Sequence, residues 1–343
     1  MICDDSLAIR AAISRMLEAE PDIKVVARAG NGQLAVEELK RRKIDVVVLD
    51  IEMPVIDGIA ALPLLLQQDP HLRVVMASTL TTRGAGIAMQ ALRLGAADYV
   101  HKPSAQSADG DGVFKQELIA KIRGLARIRR QAAAPVPAQA VPMRAPSATR
   151  PKLLAIGSST GGPQALFTLV KGLGTNINVP VVITQHMPPN FTKILADHIT
   201  GLGAMNCAEA ADGMKLLPGR IYIAPGDRHL LVQASTDGYV AKLSDRPAEN
   251  FCRPAVDPMI RSATSACGGR VLVVMLTGMG QDGLAATREL VTMGGTAIAQ
   301  DEASSVVWGM PGAIARAGLC QAVLPITSLA SKIHELLGVA NIR

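Results

Sequence analysis

Residues able to carry out acyl transfer follow strand-like runs in the second half of the chain. Gly157-Ser158-Ser159-Thr160-Gly161-Gly162 follows the apolar run 153–156 and precedes a helical stretch whose first turn suits Pro163. Read as G-x-S-x-G, it puts Ser159 at the centre of a tight strand–turn–helix. There the glycines permit the bend, and helix amides face a developing oxyanion. Glycine-rich turns after strands also bind phosphates, but there is no Gly-Lys-Ser/Thr ending and no G-x-G-x-x-G spacing. A turn with no chemistry is the other reading of the motif.

A serine nucleophile needs a base and an acid to orient it. Of six histidines, His186 is best placed, directly after the buried run 179–184. His198 sits on a helical polar face, His229 starts a short strand, and His71, His101 and His334 lie away from the strand ends of this domain. Asp282 follows the buried run 270–276, where the competing role is a helix N-cap. A second constellation falls at strand ends in the first half: Asp4, Asp5, Asp50, Ser78 and Lys102. Converging carboxylates make a hard oxygen site suited to Mg²⁺. Metal and lysine together neutralise the charge of a transferred phosphoryl group, and a carboxylate can accept that group as nucleophile.

Both constellations need parallel sheets, in which residues at strand carboxyl ends converge. In the first half, strand-like runs at 24–27, 45–49, 73–77 and 98–100 alternate with helical spacing at 7–17, 33–40, 59–67 and 87–94, and 114–128 closes the domain. That alternation predicts a parallel sheet with helices on both faces. In the second half, 153–156, 179–184 and 270–276 read as buried parallel strands, and 220–224, 229–233 and 238–244 as short antiparallel ones. The expectation is α/β throughout: two doubly wound domains, the second carrying an antiparallel insert. Residues 131–150, rich in Ala and Pro, read as a semi-extended linker. The expected boundaries are 1–128, a linker over 129–151, and 152–343.

The 343 residues suffice for two cores, built from aliphatic side chains because aromatics make up only 2%. No apolar run reaches the roughly 18–20 residues of a membrane span, and Asp4 and Asp5 stand where a secretory leader would carry positive charge. A cytoplasmic location without membrane insertion is expected. The five cysteines are scattered without a C-x-x-C pair, which argues against disulfide or zinc frameworks. The net charge is +6, but residues 121–152 hold eight Lys/Arg and no acid, and the rest of the chain sums to −2. The basicity belongs to a helix end and the linker, so nucleic acid is not an expected partner.

Cys3-Asp4-Asp5-Ser6, Leu49-Asp50-Ile51-Glu52-Met53-Pro54 with Asp57-Gly58, Ala77-Ser78-Thr79 and Lys102-Pro103 resemble a response-regulator receiver, with a flavodoxin-like sheet. The resemblance implies Asp50 as phosphoacceptor, Asp5 and Asp50 as direct Mg²⁺ ligands, Asp4 acting through water, the Glu52 carbonyl completing the site, and Ser78 with Tyr99 relaying the switch. A receiver opens with an apolar strand of about five residues in the sheet centre. Only Met1-Ile2-Cys3 precede Asp4 here, so the natural chain is expected to begin a few residues upstream.

In the second half, the order Ser…His…Asp differs from that of α/β-hydrolases. Gly157-Ser158-Ser159-Thr160-Gly161-Gly162, Gln185-His186-Met187-Pro188, the run 221–229, Pro254-Ala255-Val256-Asp257 and Thr277-Gly278-Met279-Gly280-Gln281-Asp282-Gly283 resemble CheB-type protein-glutamate methylesterases. That resemblance implies a Rossmann-like catalytic domain with Ser159 as nucleophile, His186 as base and Asp282 as orienter, with Thr160 and Met279 beside the oxyanion. It further implies hydrolysis of glutamate γ-methyl esters and deamidation of glutamines on methylated chemoreceptors. The chemotaxis histidine kinase would be the phosphodonor, Mg²⁺ would serve the receiver, and the esterase step would need no cofactor. The competing expectation is a phosphorylation-controlled, receptor-binding scaffold without hydrolase activity.

Overall fold

A computed structural model describes residues 1–78, 82–102, 110–133, 143–145, 147 and 149–339. The chain divides into two compact units, Met1–Val136 and Pro137–Arg343.

The first unit runs β1 (Ile2–Cys3), α1 (Leu7–Glu18), β2 (Arg28–Ala29), α2 (Gly32–Arg41), β3 (Val46–Asp50), α3 (Gly58–Gln68), β4 (Arg73–Ser78), α4 (Thr82–Arg93), β5 (Asp98–His101) and α5 (Gly110–Ala133). Its five strands lie in the order β2-β1-β3-β4-β5, all parallel. Every residue of β3 is buried, as expected for a central strand covered on both faces. Polar caps start the helices next to the strand ends: Ser6, Asn31 and Asp57 accept from the amides of Ile9, Leu34 and Ala60.

Two expectations shift here. The run 24–27 is not a strand; β2 is only Arg28–Ala29. Its ladder pairs Ile2 with Arg28, and upstream the Ala27 carbonyl accepts the Ile2 amide at 3.1 Å while the Val26 carbonyl accepts from Arg42 Nη1 at 2.9 Å. Second, helix continues through 129–133, where a linker was expected, because Arg129 on α5 pairs with Asp69 (2.8 Å) and Asp45 (3.4 Å).

The second unit runs β6 (Leu153–Ser158), α6 (Gly162–Leu173), β7 (Val181–Gln185), α7 (Phe191–Thr200), β8 (Cys207–Glu209), β9 (Lys215–Leu216), β10 (Ile221–Ile223), β11 (His229–Ser235), β12 (Gly238–Ser244), α8 (Val256–Ala266), β13 (Val271–Met275), α9 (Leu284–Thr292), β14 (Thr296–Gln300), α10 (Met310–Arg316), β15 (Ala322–Leu324) and α11 (Ile326–Leu337). Seven strands form a parallel sheet, β15-β14-β13-β6-β7-β10-β8, and β11, β12 and β9 form a small antiparallel sheet. The residues read as an antiparallel strand at 220–224 instead form β10, parallel to β7 and β8. A three-residue apolar strand carries no direction in its own sequence; the neighbours decide it. Strands β6, β7, β13 and β14 are buried along their whole length. The sheet reverses direction of growth at β6, between β13 and β7, and that switch point is where open α/β sheets place their sites.

Candidate functional site

Three adjacent strands deliver the three expected residues: β13 leads to Asp282, β6 to Ser159 and β7 to His186. The two serines of the turn are in different surroundings. Ser158 is fully buried, and its hydroxyl donates to Gln185 Oε1 at 2.7 Å. Ser159 is half-buried, and among the described residues its hydroxyl has no hydrogen-bond partner. Its backbone is fixed instead: the amide donates to the Thr277 carbonyl at 3.0 Å, and the carbonyl accepts from Gln185 Nε2 at 2.9 Å.

Gly161 ends the turn at φ +74°, and a Cβ there would lie 2.3 Å from Val306 Cγ2. Gly278 has a different role, because its Cβ would meet that of Ser159 at 2.9 Å. Only hydrogen at this position lets the loop after β13 pass the serine; the next residue, Met279, is 42% exposed. Thr160 is buried, and its carbonyl accepts from Thr277 Oγ1 at 2.8 Å.

His186 is bonded through Nε2 to Asp282 Oδ2 at 2.7 Å. Nδ1 is therefore the ring nitrogen left to serve a nucleophile, and Cys252 Sγ lies 3.4 Å from it. Burial opposes the charged ring, but the bonds to Asp282 and Cys252 outweigh it and raise the His186 pKa to about 9.

Asp282 is 2% exposed and does not cap α9. Its Oδ2 accepts the Val256 amide at 2.6 Å and its Oδ1 the Asp257 amide at 3.0 Å. The carboxylate thus sits at the N-terminus of α8, where helix amides favour negative charge. Burial pushes this carboxyl up, yet His186 and the two amides hold it below the usual carboxylate range. The neighbouring Asp257 goes the other way, raised by burial and by the Asp282 charge. Two other histidines serve structure: His229 accepts the Ala255 amide at 3.1 Å, and His334 pairs with the Leu173 carbonyl at 3.0 Å. Nothing in the sequence singled out Asn250 or Cys252, whose side chains reach Asp282 and His186; both lie in an irregular loop without periodicity.

In the first unit, Asp4, Asp5 and Asp50 each present an oxygen within 4.8 Å of the others. Lys102 Nζ lies 2.7 Å from Asp4 Oδ2 and 2.6 Å from Asp50 Oδ1. Burial raises the Asp50 pKa, with Asp4 adding to it and Lys102 opposing. A cleft of about 290 Å³, lined by residues including Asp5, Asp50, Glu52 and Lys102, opens over Asp50. Three carboxylates with an exposed edge at Asp5 fit a hard divalent cation. Tyr99 is buried on β5, and Lys121 Nζ stands 5.1 Å from its ring centre. Ser78 ends β4, and its side chain lies outside what is described; Pro103 lies outside the described residues altogether. Among the described residues, no helix is long and apolar enough to cross a membrane.

With this geometry in place, comparison with known proteins is specific. The CheB methylesterase family matches residues 154–333, and the response regulator receiver domain matches residues 1–108. A protein-glutamate methylesterase/protein-glutamine glutaminase of Azospirillum brasilense is 51% identical over 360 residues, covering 98% of this chain and 91% of that protein. One from Paramagnetospirillum magneticum is 50% identical, covering 98% and 95%. The crystal structure of the Thermotoga maritima CheB methylesterase catalytic domain aligns with a TM-score of 0.53 at 39% identity, over 54% of this chain and 98% of that one. The chain therefore belongs to the CheB methylesterase family and carries a response regulator receiver domain ahead of the catalytic one.

Proposed function

We propose that the chain is a phosphorylation-activated hydrolase that removes methyl groups from glutamate γ-methyl esters of chemoreceptors and deamidates receptor glutamines. What supports this reading is that Ser159, His186 and Asp282 follow three adjacent strands, β6, β7 and β13, with His186 bonded to Asp282 through Nε2 at 2.7 Å. Ser159 Oγ attacks the ester carbonyl while His186 Nδ1 takes its proton. The oxyanion is met by amides of the turn and the facing loop, at Thr160 and Met279. The carbon–methoxy bond breaks, the His186 proton goes to the leaving oxygen, and methanol departs. Water, deprotonated by the same nitrogen, then releases the glutamate and restores Ser159. With a glutamine substrate, ammonia is the leaving group. Asp282 keeps the charged intermediate ring oriented without itself taking the proton.

In the first unit, Asp50 would accept a phosphoryl group from a chemotaxis histidine kinase. Asp4, Asp5, Asp50 and the Glu52 carbonyl would hold Mg²⁺, which supplies charge neutralisation when bound. Lys102 would hold the phosphoryl oxygens, and Ser78 with Tyr99 would pass the change on. The test is methanol release by the full chain from methylated receptor membranes, with and without a small phosphodonor. Release that rises with phosphodonor is expected. A chain that binds receptor yet releases no methanol under either condition would establish the scaffold reading instead.

A further inference from the structure

The loop ahead of α8 folds into a two-residue hairpin. Glu249 and Cys252 exchange both backbone hydrogen bonds, at 3.1 and 3.0 Å. Between them, Asn250 and Phe251 hold φ angles of +53° and +62°. Left-handed backbone at both central positions is the type I′ arrangement, which favours Asn followed by Gly. Asn250 suits its place. Phe251 does not, and it projects wholly into solvent.

The tight turn aims two side chains inward, Cys252 at His186 and Asn250 at a pair of carboxylates. Asn250 Nδ2 donates to Asp282 Oδ1 at 2.8 Å and to Asp257 Oδ2 at 2.9 Å. One amide nitrogen thus uses each of its two protons on a different buried carboxylate. The orientation of the amide is unambiguous, because its oxygen in that place would face only acceptors. Asp257 has a further partner in the Ala286 amide, at 2.8 Å. Among the described residues, His186 and Asn250 are the two side chains bonded to Asp282.

We propose that Asn250 is a positioning residue for the acyl-transfer machinery. Its amide separates two buried carboxylates that would otherwise repel each other directly. It also holds Asp282 Oδ1, so that Oδ2 stays aligned on His186 Nε2. Without this bond Asp282 keeps the Val256 and Asp257 amides and His186, but Oδ1 faces the Asp257 carboxylate with no proton between them, and the repulsion strains its alignment on His186. The proposal rests on the hydrolase reading given above.

Asn250→Gly is the informative variant, since glycine adopts the same positive φ without strain and preserves the turn. Two readouts are taken on the full chain: methanol release from methylated receptor, and the rate at which a fluorophosphonate labels Ser159. Both kcat and the labelling rate should fall together, about 10- to 100-fold, as expected for a base displaced by a fraction of an ångström. KM for receptor should stay within about twofold, and the variant should remain folded at the assay temperature, with a lower thermal midpoint from the lost bonds to two buried carboxylates. Asn250→Asp keeps the size but removes the donors, and should lose at least as much of both rates. Wild-type kcat and labelling in Asn250→Gly would overturn the proposal, and so would losses accounted for by the unfolded fraction. If no receptor yields methanol but labelling still falls, the positioning role stands and the receptor reading alone fails.

Discussion

At the residue scale, the chemistry turns on which nitrogen of His186 is free and when it is neutral. Nε2 is committed to Asp282 at 2.7 Å, so under the proposed function the Ser159 proton goes to Nδ1. Only the neutral ring can accept it, and the folded-state pKa of about 9 lies above the ordinary value of 6.5. Methanol release should therefore climb with pH toward about 9 rather than level off near 7. Cys252→Ala removes one of the two groups that hold the proton on the ring, so the acid limb of kcat/KM should move to lower pH. A limb unmoved by this substitution would show that the thiol has no hold on the ring. The sequence singled out Ser159, His186 and Asp282 as candidates because each follows a buried run, and the structure puts all three after adjacent strands of one sheet. The sequence was silent on Asn250 and Cys252, whose relevance depends on a turn that brings residues 66 positions apart, Cys252 and His186, into contact.

At the element scale, two turns hold the site, and they respond to substitution in opposite ways. Gly161 must be glycine both for its φ of +74° and because Val306 fills the space a Cβ would need. Gly161→Ala should cost about 2–4 kcal/mol in the stability of the second unit, adding left-handed strain to a clash, and should lower kcat with it. Chemical denaturation of the variant checks this. Phe251 at φ +62° is the reverse case. Phe251→Gly relieves an aromatic residue in left-handed backbone and loses no packing, so stability should rise by about 0.5–1 kcal/mol, read as a higher thermal midpoint. A lower midpoint would show that Phe251 packs in solution.

The long buried strands β3, β6, β7 and β13 were legible as apolar runs between turn residues. The short strands β8 and β15 were not, since three residues hold too little pattern. The direction of β10 was set by its neighbours β7 and β8 rather than by local composition.

At the scale of the whole molecule, the two side-chain clusters sit in separate units, with the carboxylates around Asp50 in Met1–Val136 and Ser159, His186 and Asp282 in Pro137–Arg343. Regulation then requires that phosphorylation change the relative weights of at least two states of the chain. Two outcomes follow under the proposed function. Asp50→Asn should abolish activation by phosphodonor and leave basal methanol release in place. Residues 137–343 alone should release methanol faster than the unphosphorylated full chain, and an equal or slower rate would rule out inhibition by the first unit. The domain pattern was legible from the strand–helix alternation and the Ala/Pro-rich stretch between the halves. The exact end of the first unit was less so, because α5 continues through Ala133, held by an Arg129 pairing that no local pattern announces.

The central claim is that Ser159 is the nucleophile of an ester hydrolase. Methanol release from methylated receptor by Ser159→Ala, in full-length protein of unchanged thermal midpoint, tests it most directly. The expected result is a loss of several orders of magnitude, as for removal of any triad nucleophile. Retention of wild-type release by that variant would contradict the account.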